Sequence, residues 1–239
     1  MEFDLDAQAA FLETDLGGAL TDFQPDPGVA PQYRYEERNP SYPLPDARVL
    51  FAVIRRLRPR SIVELGSGQT SRVIAQACRL NAADGHTTTY RAFDPYPTVI
   101  DRGLPGLTEL LNLEAQAVPE QVFGALRSGD VLFVDTTHTV KLGSEVNRIV
   151  LDVLPLLAPG VLVHFHDISL PYEYPRYLIE DYGLYWAEQY LLHAFLCMNP
   201  GFETICAVQA LCRARPEFAR AVGLAAFGET GGAFWIRRK

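Results

Sequence analysis

Two short stretches hold most of the side chains suited to chemistry. "VDTTH" carries Asp135 and His138, and "VLVHFHDISLP" carries His164, His166 and Asp167, together three of the chain's five histidines. Imidazoles and carboxylates are costly in a core unless paired or bound. A strand that ends in His166 and Asp167 therefore asks for a partner. If the two stretches are neighbouring strands, their ends lie roughly 5 Å apart and Asp135, His138, His166 and Asp167 converge. Two carboxylates with imidazoles suit a divalent cation. Oxygen ligands favour Mg²⁺ or Mn²⁺, and added imidazole moves the balance toward Mn²⁺, Fe²⁺ or Zn²⁺. Such a cation lowers the pKa of a bound hydroxyl, and a nearby histidine can take the proton. Each residue also has a plainer role open to it. Asp135 can cap the next helix, His138 can bond a carbonyl, and mid-strand His164 reads as a buried, paired histidine. Asp167, at the strand end, is the hardest to explain structurally.

The second group is a glycine turn. In "VELGSGQTS", Glu64 ends a strand, and Gly66, Ser67 and Gly68 make the turn into a helix. Glycines let the backbone bend sharply and approach a ligand, and the helix start offers free N–H groups. The next strand ends in Asp94, placed to accept hydrogen bonds from a ribose diol. A dinucleotide fingerprint needs a third glycine for helix packing, and that position is Ser71, which weakens a nicotinamide reading. The plain alternative is a tight strand-to-helix turn, with Asp94 capping the turn after it.

These side chains need a scaffold. Strand-like "SIVELGSG", "TTTYRAFDPYP", "NLEAQAV", "GDVLFVDTTH" and "GVLVHFHD" alternate with helical stretches. One helix is "QTSRVIAQACRLN"; another begins at Ser144 as N-cap; "DRGLPGLTELL" reads as loop and short helix. A helix before the first strand has Asp46 as its N-cap, with Val49, Leu50, Val53, Ile54 and Leu57 at helical spacing. Two last strands, "FETICAVQ" and "GGAFWIRRK", lack a strong crossover helix between them and are expected to pair antiparallel at one edge. The expected fold class is α/β: a Rossmann-like, seven-stranded, mostly parallel sheet with helices on both faces. Residues 1–45, with a short helix around 6–13, form an N-terminal appendage over a main domain spanning 46–239. Near 170–198 an insertion with six tyrosines and Trp186 reads as lid or acceptor-pocket wall, part of it packed core. Glu188 and Gln189 are left unassigned between cleft and core.

"VELGSGQTS" followed by "FDPYP" resembles the first two motifs of class I S-adenosylmethionine (SAM)-dependent methyltransferases. The stretch "DVLFVDTTHTVKLGSEVNRIVLDVLPLLAPGVLVHFHDI" is similar to a bacterial subgroup with D-x-x-H and H-F-H-D motifs. The resemblance implies SAM as cofactor. Gly66, Ser67 and Gly68 would line its methionine part, with Glu64 at the strand end, Asp94 on the ribose and Gln116 near the adenine. It also looks like the metal-dependent O-methyltransferases of natural-product sugars. That implies Asp135 and Asp167 as ligands of Mg²⁺ or Mn²⁺ and His138 as general base. His166 stands where those enzymes have a second carboxylate, and it joins the ligand set. The implied activity is O-methylation of a small hydroxylated acceptor, with or without a metal. The alternatives are a nicotinamide-dependent oxidoreductase, or a non-catalytic SAM-binding protein that has no use for the Asp135/His138/His166/Asp167 cluster.

Bulk composition narrows the partners. The chain has 239 residues, a formal net charge of -8 and no basic stripe, so nucleic acid is not expected. No apolar run is long enough to span a membrane, and the acidic start lacks the order of a signal peptide. Four cysteines without CxxC spacing read as reduced thiols of a cytoplasmic protein. A small-molecule acceptor is the expected partner, and homo-oligomer formation is left open.

Overall fold

The structure, a computed structural model, describes residues 3–225 and 231–239. Seven strands form one sheet in the order β3-β2-β1-β4-β5-β7-β6. They are β1 Ser61–Leu65, β2 Thr89–Phe93, β3 Glu109–Leu111, β4 Val131–Val134, β5 Leu162–Phe165, β6 Phe202–Ala207 and β7 Phe234–Arg238. The first five are mutually parallel; β7 lies antiparallel between β5 and β6. Alternation along the strands fills two cores. Ile62, Tyr90, Phe133 and Trp235 belong to one, and Val63, Phe93, Val134 and Phe165 to the other. The first is covered by the helices Leu44–Leu57 and Gln69–Ala83. The second is covered by the helical stretch 145–156, which Ser144 caps by accepting from the Asn147 amide.

The α/β class, the mostly parallel sheet and the antiparallel final pair are as expected. Four local readings are corrected. The third strand is Glu109–Leu111, not 112–118, where Ala115–Ala117 forms a 3₁₀ turn. The segment before it has no helix among its described residues, because Gly103, Pro105 and Gly106 break it; Gly106 turns at φ +100°, where a Cβ would strike the Ala75 carbonyl. The link between β6 and β7 holds two helices, Val208–Ala214 and Pro216–Ala221. Asp46 is not an N-cap. Pro43 precedes the helix, and Asp46 lies inside its first turn, fully buried.

The N-terminal segment takes part in the core. Its helix Leu5–Ala10 is capped by Asp4 and runs on through Phe11–Leu16. The Gln8 side chain accepts from the Ala207 amide at the end of β6. Leu12, Leu16, Leu20, Phe23, Tyr35 and Tyr42 are all buried against the first core. No helix of the described residues is long and apolar enough to cross a membrane. The four cysteines are free thiols, and only Cys197 is exposed.

Candidate active site

The parallel pairing of β4 with β5 sets Val134 beside Phe165. The residues just past them, Asp135 and His166, therefore emerge together at the carboxyl edge of the sheet. The His166 amide donates to the Val134 carbonyl and the Asp135 amide to the Leu65 carbonyl, both at 3.0 Å. One ligand atom from each of Asp135, His166 and Asp167 lies within 4.8 Å of the others. His166 Nδ1 is 3.7 Å from Asp135 Oδ2 and 3.5 Å from Asp167 Oδ2. Asp167 reaches this position through a left-handed backbone, φ +54°, which costs a non-glycine residue free energy and gathers at functional sites.

The charges are strongly coupled. Burial pushes Asp135 up, but His166 and His138 together pull its carboxyl well below the usual range. Burial works against charging His166, yet Asp167, Asp135 and Asp46 hold it well above an ordinary imidazole. Burial, helped by the Asp135 charge, raises Asp167 against the pull of His166. Among the described residues neither ring nitrogen of buried His166 has a hydrogen-bond partner. An imidazole with a free nitrogen facing two carboxylates is a donor set that fits a divalent cation.

His138 lies beside this cluster, also with a left-handed backbone, φ +55°. Its Nδ1 is 2.8 Å from the buried Glu188 carboxylate. Its Nε2 faces Asp135 at 3.4 Å and Asp167 at 3.5 Å. The ring packs on Trp186 with centroids 4.5 Å apart, and its carbonyl accepts from the Ala187 and Glu188 amides. Burial opposes its protonation, but Asp135 and Glu188 overcome this and push it up to about 10. His164 points to the same sheet face, deeper. It stacks on Phe133 at 4.1 Å and meets Trp235 edge-on at 4.8 Å. Burial, with His166 nearby, keeps it neutral, as a core histidine should be. Among the described residues, Nε2 has a partner, the Tyr42 hydroxyl at 3.4 Å, and Nδ1 has none.

The glycine turn stands one strand away, after β1. Gly66 has φ +85°, and a Cβ there would collide with the Asp135 carbonyl oxygen; it is required by the meeting of β1 and β4. Gly68 is different. Its φ of 174° suits any residue, and a Cβ would meet nothing within 4 Å. Its backbone thus borders open space. Ser67 donates to Asp94 Oδ2 at 2.6 Å, while Asp94 Oδ1 accepts from the Tyr96 amide. Glu64 does not line this space. It is fully buried beneath the turn, accepting from Thr70, Ser71 and Tyr90 hydroxyls, and burial pushes it up to about 7 despite those donors. Ser71, at the missing third glycine, bonds both the Gly68 amide and Glu64. Gln116 is exposed on its 3₁₀ turn, and its amide donates to Glu114.

A cavity of about 810 Å³ opens over the cluster. Its lining includes Asp135, His166 and Asp167 below, Tyr174, Tyr182 and Trp186 from the insertion, and Asn39 and Ser41 from the N-terminal segment. Three contributors are not assigned to the site by the sequence. Glu188 is buried against His138; its spacing to Leu192 and Leu196 on the buried helix side is the signal that placed it inward. Tyr42 is fully buried with its ring 4.8 Å from that of His166, and nothing local in the sequence marks it. Asp46 Oδ2 lies 3.4 Å from His166 Nε2. Its three- and four-residue spacing to Val49 and Leu50 puts it on the apolar helix face.

Against known proteins, a family model described as a methyltransferase domain matches residues 63–168. That span runs from the glycine turn through Asp167 and leaves out Asp46 and Glu188. No curated protein matches the chain. A solved structure described as CmcI with Mg and SAM aligns with a TM-score of 0.46 and 18% identity, over 92% of this chain and 82% of that one. CmcI with SAH aligns with a TM-score of 0.46 and 17% identity, over 91% and 89%. A protein from Thermobifida fusca YX gives 0.45 and 18%, over 81% of each chain.

Proposed function

We propose that the protein is a class I SAM-dependent methyltransferase acting on a hydroxyl of a small acceptor, such as a sugar or natural product. A divalent cation, Mg²⁺ or Mn²⁺, would sit on Asp135, His166 and Asp167. The observation that carries this reading is the convergence of those three residues and the His138–Glu188 pair beside a glycine turn with open space at Gly68. The match of residues 63–168 to a methyltransferase domain supports it. So does a cavity of about 810 Å³, within the range of about 300–1,000 Å³ usual for small-molecule sites.

In this reading Gly66, Ser67 and Gly68 cradle the methionine part of SAM, and Glu64 holds the turn from beneath. Asp94 has spent two of roughly four acceptor positions on Ser67 and Tyr96, leaving two for a ribose diol. Gln116 lies on the adenine side. SAM supplies an activated methyl group, and a bound cation would acidify the acceptor hydroxyl. The chain's part is to orient that hydroxyl in the cavity and to accept its proton at His138 Nε2. Glu188 fixes the ring by accepting a hydrogen bond from Nδ1–H. Two of the three carboxylates beside His138 are the proposed ligands; once their charge is compensated, the imidazole loses much of the hold on its proton.

Calorimetry with S-adenosylhomocysteine and NAD(P), each with and without Mg²⁺ or Mn²⁺, tests the assignment. S-adenosylhomocysteine at 100 times its Kd should stabilise the fold by about 2.7 kcal/mol. Binding of NAD(P) with no response to S-adenosylhomocysteine refutes it.

A further inference from the structure

The floor of the proposed cation site is made by a residue from outside the segment that matches the methyltransferase domain. Asp46 is fully buried in the first turn of the helix Leu44–Leu57. Its carboxylate has a built socket. Oδ2 accepts from the Gly232 amide at 2.7 Å and Oδ1 from the Ala233 amide at 3.1 Å. At Gly231, φ +72°, a Cβ would run into Oδ1. The turn before β7 is therefore shaped around this carboxylate. The carboxylate also faces His166, whose Nε2 is 3.4 Å from Oδ2, an ion-pair distance slightly beyond a good hydrogen bond.

His166 thus stands between two acidic sides. Nε2 faces Asp46, and Nδ1 faces Asp135 and Asp167. A neutral imidazole has one N–H and one lone pair. With the proton on Nε2, toward Asp46, the lone pair of Nδ1 points at the carboxylates where a cation would be held. With the proton on Nδ1, that direction is blocked. Ligating histidines commonly give their other N–H to a carboxylate, which fixes tautomer and ring orientation. We propose that Asp46 is a positioning residue: from the helix Leu44–Leu57 it holds the His166 proton on Nε2 and so leaves Nδ1 free to ligate a divalent cation with Asp135 and Asp167. It does not touch the cation or the substrate.

The inference rests on the cation site proposed above, and the test separates the two. Wild-type protein with ¹⁵N-labelled histidine is titrated with Mg²⁺ and followed by NMR. The Nδ1 resonance of His166 should move on loading while Nε2 keeps its proton. In Asp46→Asn, Mn²⁺ affinity, read from the EPR signal of the free ion, should fall by about 10–100-fold, with S-adenosylhomocysteine affinity unchanged. A merely structural Asp46 would leave the histidine resonances and Mn²⁺ affinity in place. Parent-like Mn²⁺ binding by Asp46→Asn, or a loaded wild type whose Nε2 is deprotonated or is the coordinating nitrogen, overturns the proposal. If Asp46→Asn does not fold, the wild-type spectrum decides alone. If the wild type takes up neither ion, the cation reading fails. The metal-free protein then still judges Asp46, since a His166 Nε2 resonance that Asp46→Asn leaves unmoved refutes its role.

Discussion

At the scale of single residues, the site is a set of imidazoles each held by carboxylates on more than one side. His138 is the clearest case, with Glu188 at Nδ1 and Asp135 and Asp167 near Nε2. A positioned general base is worth about 10²–10⁴-fold in rate. His138→Ala should lose activity on that scale and bind S-adenosylhomocysteine as the parent does; near-parent turnover on a true acceptor would make His138 structural. Glu188→Gln offers a finer test. It keeps an acceptor for the Nδ1 proton but removes one of the charges that raise His138 to about 10. The imidazole then gives up its proton at lower pH. A base must be deprotonated to act, so the acidic limb of the pH–rate profile should move to lower pH in the variant. A limb that stays put would mean that another group accepts the proton.

Among the elements, the two glycines of one turn answer to different demands. Gly66 combines a left-handed backbone with a collision at the Asp135 carbonyl, so Gly66→Ala should destabilise the fold by about 1–3 kcal/mol or more. Gly68 has neither constraint. Gly68→Ala should leave the melting temperature near the parent's, yet weaken S-adenosylhomocysteine by about tenfold or more, about 1.4 kcal/mol. Equal affinity in that variant would remove the turn from the cofactor site. Sequence pattern alone sees two glycines and cannot rank them, because the Asp135 carbonyl that decides between them arrives from another strand. The same limit explains what else was legible. Strands β1, β4 and β5 are apolar runs ended by turn residues, and with β4 beside β5 their ends bring Asp135, His166 and Asp167 together. Strand β3 has three residues, too few for a period to show, and the apolar alternation after it is the stronger strand pattern. Asp46 has the pattern of a cap, because an acid near a helix start usually is one. Its real partners, Gly232 and Ala233, lie at the far end of the chain.

For the molecule as a whole, one buried acid links the glycine turn after β1 to global stability. Glu64 joins β1, β2 and the helix Gln69–Ala83 through Tyr90, Thr70 and Ser71, and burial raises its carboxyl from 4.5 to about 7. A group that holds its proton more tightly when folded stabilises the fold fully below its unfolded pKa. That contribution is lost as pH rises through the folded pKa. For Glu64 the window runs from the ordinary glutamate range to about pH 7, and the difference corresponds to about 3 kcal/mol. Asp135 has the opposite sign, its lowered pKa favouring the fold until strong acid, so the protein's total pH profile mixes the two. Subtraction isolates Glu64. Denaturant unfolding of the parent and of Glu64→Gln should be measured at intervals from pH 4 to pH 8. The stability of the parent relative to the variant should fall across that range and then level off. If the difference stays flat, Glu64 titrates alike in the folded and unfolded chain and its three hydroxyl donors cancel its burial; a difference that rises from pH 4 means that they outweigh it.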